Sequence, residues 1–277
     1  MEKETIKCKT ITPLLLAGAD GRTLELRPPS IKGMMRFWWR AVNGHLSLED
    51  LKKQESDLFG TSNEKVGKSN IRIRIQSEEL KKIDYFLLPH RNAAHVNPIS
   101  PDQNISITLS SYSNIQVYSD ILNLCLILGG FGKRSRRGFG SLEPENVNIE
   151  IEDIFELMTR IGSKNYSIIG DRIVLKKNFT PKYQYPFLKE VIFGEECTDW
   201  DELLTKIGKA SSKYCNYSLG SISSRNTDRL ASPIYVSVMK NSNGRYFPII
   251  STLNTAFKDP DMKPKYSFQE NFKAMIL

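Results

Sequence analysis

Cysteine and histidine are scarce in this chain of 277 residues, with four of the first and three of the second. Cys8, Cys125, Cys197 and Cys215 form no C-x-x-C pair, and none of His45, His90 and His95 lies at zinc-ligand spacing from them. Reduced, mostly buried thiols are expected, with no structural metal and no cofactor. No apolar run approaches the ~18 residues of a membrane span; Ile121–Leu128 is the strongest and far too short. The opening residues Met1-Glu2-Lys3-Glu4-Thr5 carry no apolar signal segment, so a cytosolic protein with no membrane partner is expected.

What is present has globular proportions. Hydrophobic residues make up 40% and charged residues 25%, which argues against disorder. The length suggests two domains, each able to build a core. The net charge is +8, and it is shared evenly: residues 1–150 hold 21 Lys+Arg against 17 Asp+Glu and residues 151–277 hold 18 against 14, so each half is +4. A basic surface must therefore come from local clustering, and a polyanionic partner gains weight.

Residues 5–12 alternate and are rich in β-branched side chains, the pattern of a half-buried strand. After a loop marked by Gly18, Gly21, Pro28 and Pro29, Ser30 offers an N-cap. Ile31, Met35, Trp38 and Val42 then recur on one helical face, and Asn43-Gly44 stops the helix. A shorter helix is expected over Leu48–Phe59, strands over Ile71–Ile75 and Ile105–Leu109, a buried helix over Ile115–Leu128 and a closing strand over Val147–Ile151. The order strand, helix, strand, strand, helix, strand is that of the ferredoxin-like fold. In the second half, Ile173–Leu175 reads as a strand, Trp200–Tyr214 as a helix, Ile234–Met239 and Tyr246–Thr252 as a hairpin, and Phe268–Leu277 as a helix. These elements resemble a second copy of the same plan with one strand missing.

The most informative stretch is Gly129-Gly-Phe-Gly-Lys-Arg-Ser-Arg-Arg-Gly-Phe-Gly140, with five glycines, four cations, two phenylalanines and no acid in twelve residues. Glycines such as Gly130 and Gly132 permit positive φ and bring backbone N–H groups close to a ligand. Lys133, Arg134, Arg136 and Arg137 add charge that phosphate oxygens accept, and Phe131 lies among them. The P-loop pattern fails, because Ile127 stands where its first glycine is required and Arg134 where Ser or Thr is; G-x-G-x-x-G fails at Ser135. A loop for a phosphodiester backbone remains, against the plainer reading of a solvated turn.

Opposite the apolar face of helix 30–43, Lys32, Arg36, Arg40 and Asn43 line up at spacings of 4, 4 and 3, with Trp39 on the same side. A cation row beside a large ring makes a platform for single-stranded RNA; packing of Trp39 against a neighbour is the alternative. Arg225 and Arg229 could extend the basic path, although Asp228 could neutralise them. Metal-independent RNA cleavage needs a base and an acid. His45 is the only histidine near the basic helix, whereas Glu78-Glu79 and Glu195-Glu196 are adjacent pairs whose carboxylates point apart. The chain reads as non-catalytic, with a ribonuclease using His45 as general base as the runner-up.

Thr10-Ile-Thr-Pro-Leu14, Glu25-Leu-Arg-Pro-Pro-Ser-Ile-Lys-Gly33, Arg36-Phe-Trp-Trp-Arg-Ala41, Leu58-Phe-Gly60, the 129–140 loop and Arg229-Leu-Ala-Ser-Pro-Ile234 together resemble the RAMP superfamily of CRISPR proteins. Within it they resemble the family of first subunits of the Cmr (type III-B) effector complex. The resemblance implies an α+β chain of two tandem ferredoxin-like (RRM-like) domains with antiparallel sheets, expected over 1–155 and 156–277. It also implies a non-catalytic subunit in antiviral defence that contacts CRISPR guide RNA and target RNA beside other RAMP subunits. By position, the family's binding motifs fall on Lys32, Arg36, Arg40 and the Gly129–Gly140 loop.

Overall fold

A computed structural model describes every residue except 19, 21, 22, 62–68, 146, 148, 180–184, 222–229, 258 and 260. In the first half β1 (Glu2–Thr10) leads to α1 (Pro28–Val42) and α2 (Leu48–Phe59). Next come β2 (Ile71–Ser77), the small hairpin β3 (Tyr85–Leu88) and β4 (Ala93–Val96), and β5 (Asn104–Ser111). Helix α3 (Ile115–Leu128) and β6 (Leu142–Pro144) close the half. The first sheet runs β2-β5-β1-β6, every pair antiparallel.

Alternation decides which face of this sheet is covered. Ile6, Cys8 and Thr10 on β1 and Ile105, Ile107 and Leu109 on β5 are buried under α1 and α3, while the residues between them face outward. Helix α3 is apolar on nearly every side and is sealed at its start by Asn114, whose side chain accepts from the Gln116 N–H. The closing strand is Leu142–Pro144; of the expected 147–151, residue 148 lies outside the described residues and Ile151 opens the next helix. Ser30 is not the N-cap of α1 either. The helix starts at Pro28, with Arg27 at the N-cap and no side-chain cap. Two prolines at the first positions have no N–H groups to satisfy, and their fixed φ already suits a helix.

The second half contains α4 (Ile151–Arg160), β7 (Tyr166–Ile168), β8 (Arg172–Leu175), β9 (Leu188–Phe193) and α5 (Trp200–Lys213). Strands β10 (Ile234–Lys240) and β11 (Tyr246–Leu253) form a hairpin, and α6 (Tyr266–Ile276) follows. The sheet order is β10-β11-β9-β8-β7, again antiparallel. The position beside β9 is filled from upstream in the chain, by β8. The strand missing from the sequence pattern is β9, which pairs with β11 on one side and β8 on the other.

The halves share their interior. Tyr235, Met239, Phe247 and Leu253 join the core beneath the first sheet, and Ile11, Leu15 and Phe139 join the core of α5, α6 and the second sheet. The division at 155/156 falls inside α4, which buries Ile151, Ile154, Leu157 and Met158. Helix α4 is tied to α3 by Arg160, whose Nε and Nη2 both donate to Asp120 at 3.0 Å.

Candidate nucleic-acid interface

The cation row of α1 is real in space, and its charge is partly answered from within. Arg36 Nε donates to Glu55 Oε1 at 2.6 Å and Arg40 Nη1 donates to the same oxygen. Glu55 lies on the face of α2 that buries Leu51 and Phe59, so a carboxylate sits almost sealed between two helices. The two arginine side chains keep about a third of their surface exposed. Lys32 is pushed below the usual lysine range by burial and by Arg36. Between Lys32 and Arg36, Gly33 is exposed, and a Cβ added there would meet nothing within 4 Å.

Trp39 is not part of any stacking platform. It is 2% exposed, because α1 packs against both α2 and α3, and its carbonyl accepts from Asn43 Nδ2 at 2.9 Å. Asn43, the fourth member of the row, is buried with it.

The glycines of the 129–140 loop serve the protein's own backbone. At Gly132 (φ 80°) a Cβ would lie 2.1 Å from the Leu15 carbonyl oxygen, and at Gly140 (φ 66°) 2.0 Å from that of Phe131. No side chain fits either position. The loop is woven between residues 11–16 and β10: Lys133 N–H donates to Leu15, Gly140 N–H to Pro13 and Gly138 N–H to Val236. Thr12 and Ser141 complete the seam through the Gly138 carbonyl. Gly130 and Phe131 are buried, so Phe131 is a core residue and offers no ring to a base; Gly132 and Lys133 are exposed. The expected approach of a ligand to the Gly130 backbone is thus replaced by an approach of chain to chain.

Two of the loop arginines are turned inward as well. Arg137 donates to the carbonyls of Leu219 (3.1 Å) and Ile234 (3.0 Å) and to Ser232 Oγ (3.0 Å), with its guanidinium 4.9 Å from the Phe272 ring centre. Burial, with Arg134 and Arg136 nearby, pulls its pKa down to about 9. Arg136 donates to the Ser232 carbonyl and rests against a pair of touching rings, 5.7 Å from the centre of Phe37 and 4.5 Å from that of Tyr235, whose centres are 5.4 Å apart. Phe37 belongs to α1, so the loop touches the helix that carries the row, while Arg36 itself is turned to Glu55 on α2. Arg134 adopts a left-handed conformation (φ 59°) over the Phe139 ring. Its charge reaches His90, which burial, then Arg91, Arg134 and Lys209, hold below the usual histidine range.

Beside the loop an open cleft of about 900 Å³ is lined by Arg134, Ser135, Arg136, Asn216, Tyr217 and Ser232 among others. Arg225 and Arg229 lie outside the described residues. His45 is half-buried, with Nδ1 unpartnered, and burial and Lys164 lower its pKa. Among the described residues no three His, Cys, Asp or Glu side chains group as metal ligands, and no helix is long and apolar enough to cross a membrane. Sequence reasoning missed Glu55, Phe37 and Tyr235. Glu55 could have been found, since Leu51, Glu55 and Phe59 recur every four residues and place a carboxylate on an apolar stripe.

A model of the RAMP superfamily matches residues 7–143. The chain is 31% identical to the CRISPR system Cmr subunit Cmr1-2 of Pyrococcus furiosus over 50% of this chain and 92% of that protein. It is 26% identical to Cmr1-1 of the same organism, over 87% of this chain and 84% of that one. Of solved structures, the crystal structure of apo Cmr1 from Pyrococcus furiosus superimposes with a TM-score of 0.63 at 20% identity, covering 100% of this chain and 96% of that one. A chain of the type III-B Cmr-beta complex bound to cognate target RNA superimposes with a TM-score of 0.60 at 13% identity, covering 99% of each. At these identities the two structures speak for the fold alone.

Proposed function

Because the chain belongs to the RAMP superfamily, in the family of Cmr1 subunits, we propose that it is a non-catalytic RNA-binding subunit of a type III-B CRISPR effector. It works in the cytosol beside other RAMP subunits and holds guide RNA, target RNA or both by their backbone. We read its two halves as two ferredoxin-like units, over about 1–155 and 156–277, the second permuted so that β8 takes the place of a final strand. The order β2-β5-β1-β6 and the order β10-β11-β9-β8 support that reading.

The observation that carries the RNA assignment is the surface of α1. Lys32, Arg36 and Arg40 rise one turn apart around Gly33, a bare spot in mid-helix that packing does not require. A glycine in such a position costs the helix about 1 kcal/mol relative to alanine, and close approach of a sugar-phosphate backbone would justify it. Arg134 and Lys133, with the cleft beside the loop, extend the surface towards the second half. Arg136 and Arg137 support it from beneath.

Fluorescence anisotropy with single-stranded RNA at several salt concentrations tests the assignment. Arg36→Ala with Arg40→Ala should weaken binding and flatten the plot of log K against log salt by about 1.4. Unchanged affinity and slope would refute it. The non-catalytic part of the proposal is tested at His45, whose charged neighbour is Lys164. Incubation with a CRISPR repeat RNA in EDTA should give no discrete cut; a cut lost in His45→Ala would overturn it.

A further inference from the structure

Helices α1 and α3 cover one face of the first sheet; on the other, β10 meets the β6 edge at Glu143, and the outward residues of β1, β2 and β5 are exposed or half-buried. The outward positions on β1 and β2 carry Lys3, Lys7, Arg72 and Arg74, all exposed and none in an ion pair with a described residue. Strand β5 lies between them and turns outward only Asn104 and the hydroxyls of Ser106, Thr108 and Ser110. The register sets Lys3 and Arg72 on either side of Ser110, and Thr5 and Arg74 on either side of Thr108. A hydrogen bond of 2.9 Å between the Thr5 and Thr108 hydroxyls fixes both on this face. No carboxylate and no apolar side chain occupies an outward position from Lys3 to Lys9 on β1, or on β2 and β5. Lys9, at the far end, faces Glu143 on β6 and is compensated by it.

We infer that this open sheet face is a second nucleic-acid surface, separate from α1, and that it takes a single RNA strand by its backbone. Two lines of cations stand about 10 Å apart, two strand spacings, with a lane of hydroxyls between them. Phosphates lying over the lane meet cations on both sides. Hydroxyls that both donate and accept match the ribose 2′-OH, which is the group that separates RNA from DNA. No outward position within β1, β2 or β5 carries a ring, so bases are not stacked along the lane; the exposed Tyr112 stands just past the end of β5. A protein partner fits less well, because the core of a protein interface is apolar and depleted in charge.

The test uses the full chain and labelled oligouridine, followed by anisotropy across a salt series. Arg72→Ser with Arg74→Ser, and separately Lys3→Ser with Lys7→Ser, should each reduce the salt slope by about 1.4. The same reductions should persist when Arg36 and Arg40 are already alanine, which distinguishes this face from α1. Because all four side chains are exposed, the thermal midpoint serves as the control for folding. A salt slope unchanged in both variants overturns the proposal. So does normal RNA binding combined with loss of the variants from the assembled particle, which would make the face a protein contact. Oligodeoxyuridine bound as tightly as oligouridine would overturn the ribose assignment.

Discussion

Gly33→Ala separates what the fold wants from what the ligand wants. Position 33 is the sixth residue of α1, beyond its first turn, and is exposed with no atom within 4 Å of a new Cβ. The methyl group therefore clashes with nothing, and the helix gains about 0.8–1.0 kcal/mol from the lower backbone entropy of the unfolded chain. In a chain of 277 residues that is about 2 °C in melting temperature. The RNA surface should respond in the opposite direction. A methyl between Lys32 and Arg36 holds a sugar-phosphate backbone away from both cations, and Gly33→Leu should do so more strongly. Scanning calorimetry and RNA anisotropy on the same preparations read both effects, with a higher midpoint and weaker binding expected. If the midpoint rises while RNA affinity stays at the wild-type value in both variants, no backbone approaches α1 at this point and the proposed interface is wrong.

Gly132→Ala should behave in the opposite way, since its Cβ would sit 2.1 Å from the Leu15 carbonyl oxygen at a positive φ; soluble expression and a melting curve are expected to show loss of the folded protein. Glu55→Gln removes the charged acceptor shared by Arg36 and Arg40. The partly exposed pair should lose only about 1 kcal/mol of stability in chemical denaturation, while RNA binding tightens because a carboxylate no longer competes with phosphate. Acidification should destabilise the fold through His45 and His90, both held below the ordinary 6.5 in the folded state, chiefly by burial. The unfolded chain takes up those protons first, so stability is lost as pH falls from about 6.5. The drop in melting temperature on acidification should be smaller in a His45→Gln, His90→Gln double variant than in the wild type, and an equal drop would refute the assignment.

The elements that declare themselves in the sequence are those with local punctuation. Helices α2 and α3 run over the very residues that periodicity and their stops predict, each with a capping side chain (Ser47 and Asn114) and a following glycine. Strand β9 escaped because Leu-Lys-Glu-Val-Ile-Phe does not alternate, being buried on parts of both faces. Strand β6 is three residues long, and the pairing that makes it a strand comes from β1, more than a hundred residues earlier in the chain. The cations of the site were legible as cations. Their directions were not, because what turns Arg136 and Arg137 inward is Leu219, Ser232 and Ile234 of the other half, and what demands glycine at 132 is the carbonyl of Leu15. Trp39 was ambiguous for a related reason: helical spacing placed it beside the arginines, and only the second helix on that flank decided that it is buried.

The contact of Arg136 with the paired rings of Phe37 and Tyr235 has a kinetic consequence. One side chain of the first half rests on a ring from α1 and a ring from β10, and Arg137 fastens the same loop a residue further on. Together with the shared core, these contacts hold the two halves to one another, so the proposed RNA surface is formed in the free protein. A preorganised groove spends no ordering entropy at the moment of capture, so encounter, steered by charge and slowed by salt, should govern how fast a strand is taken up.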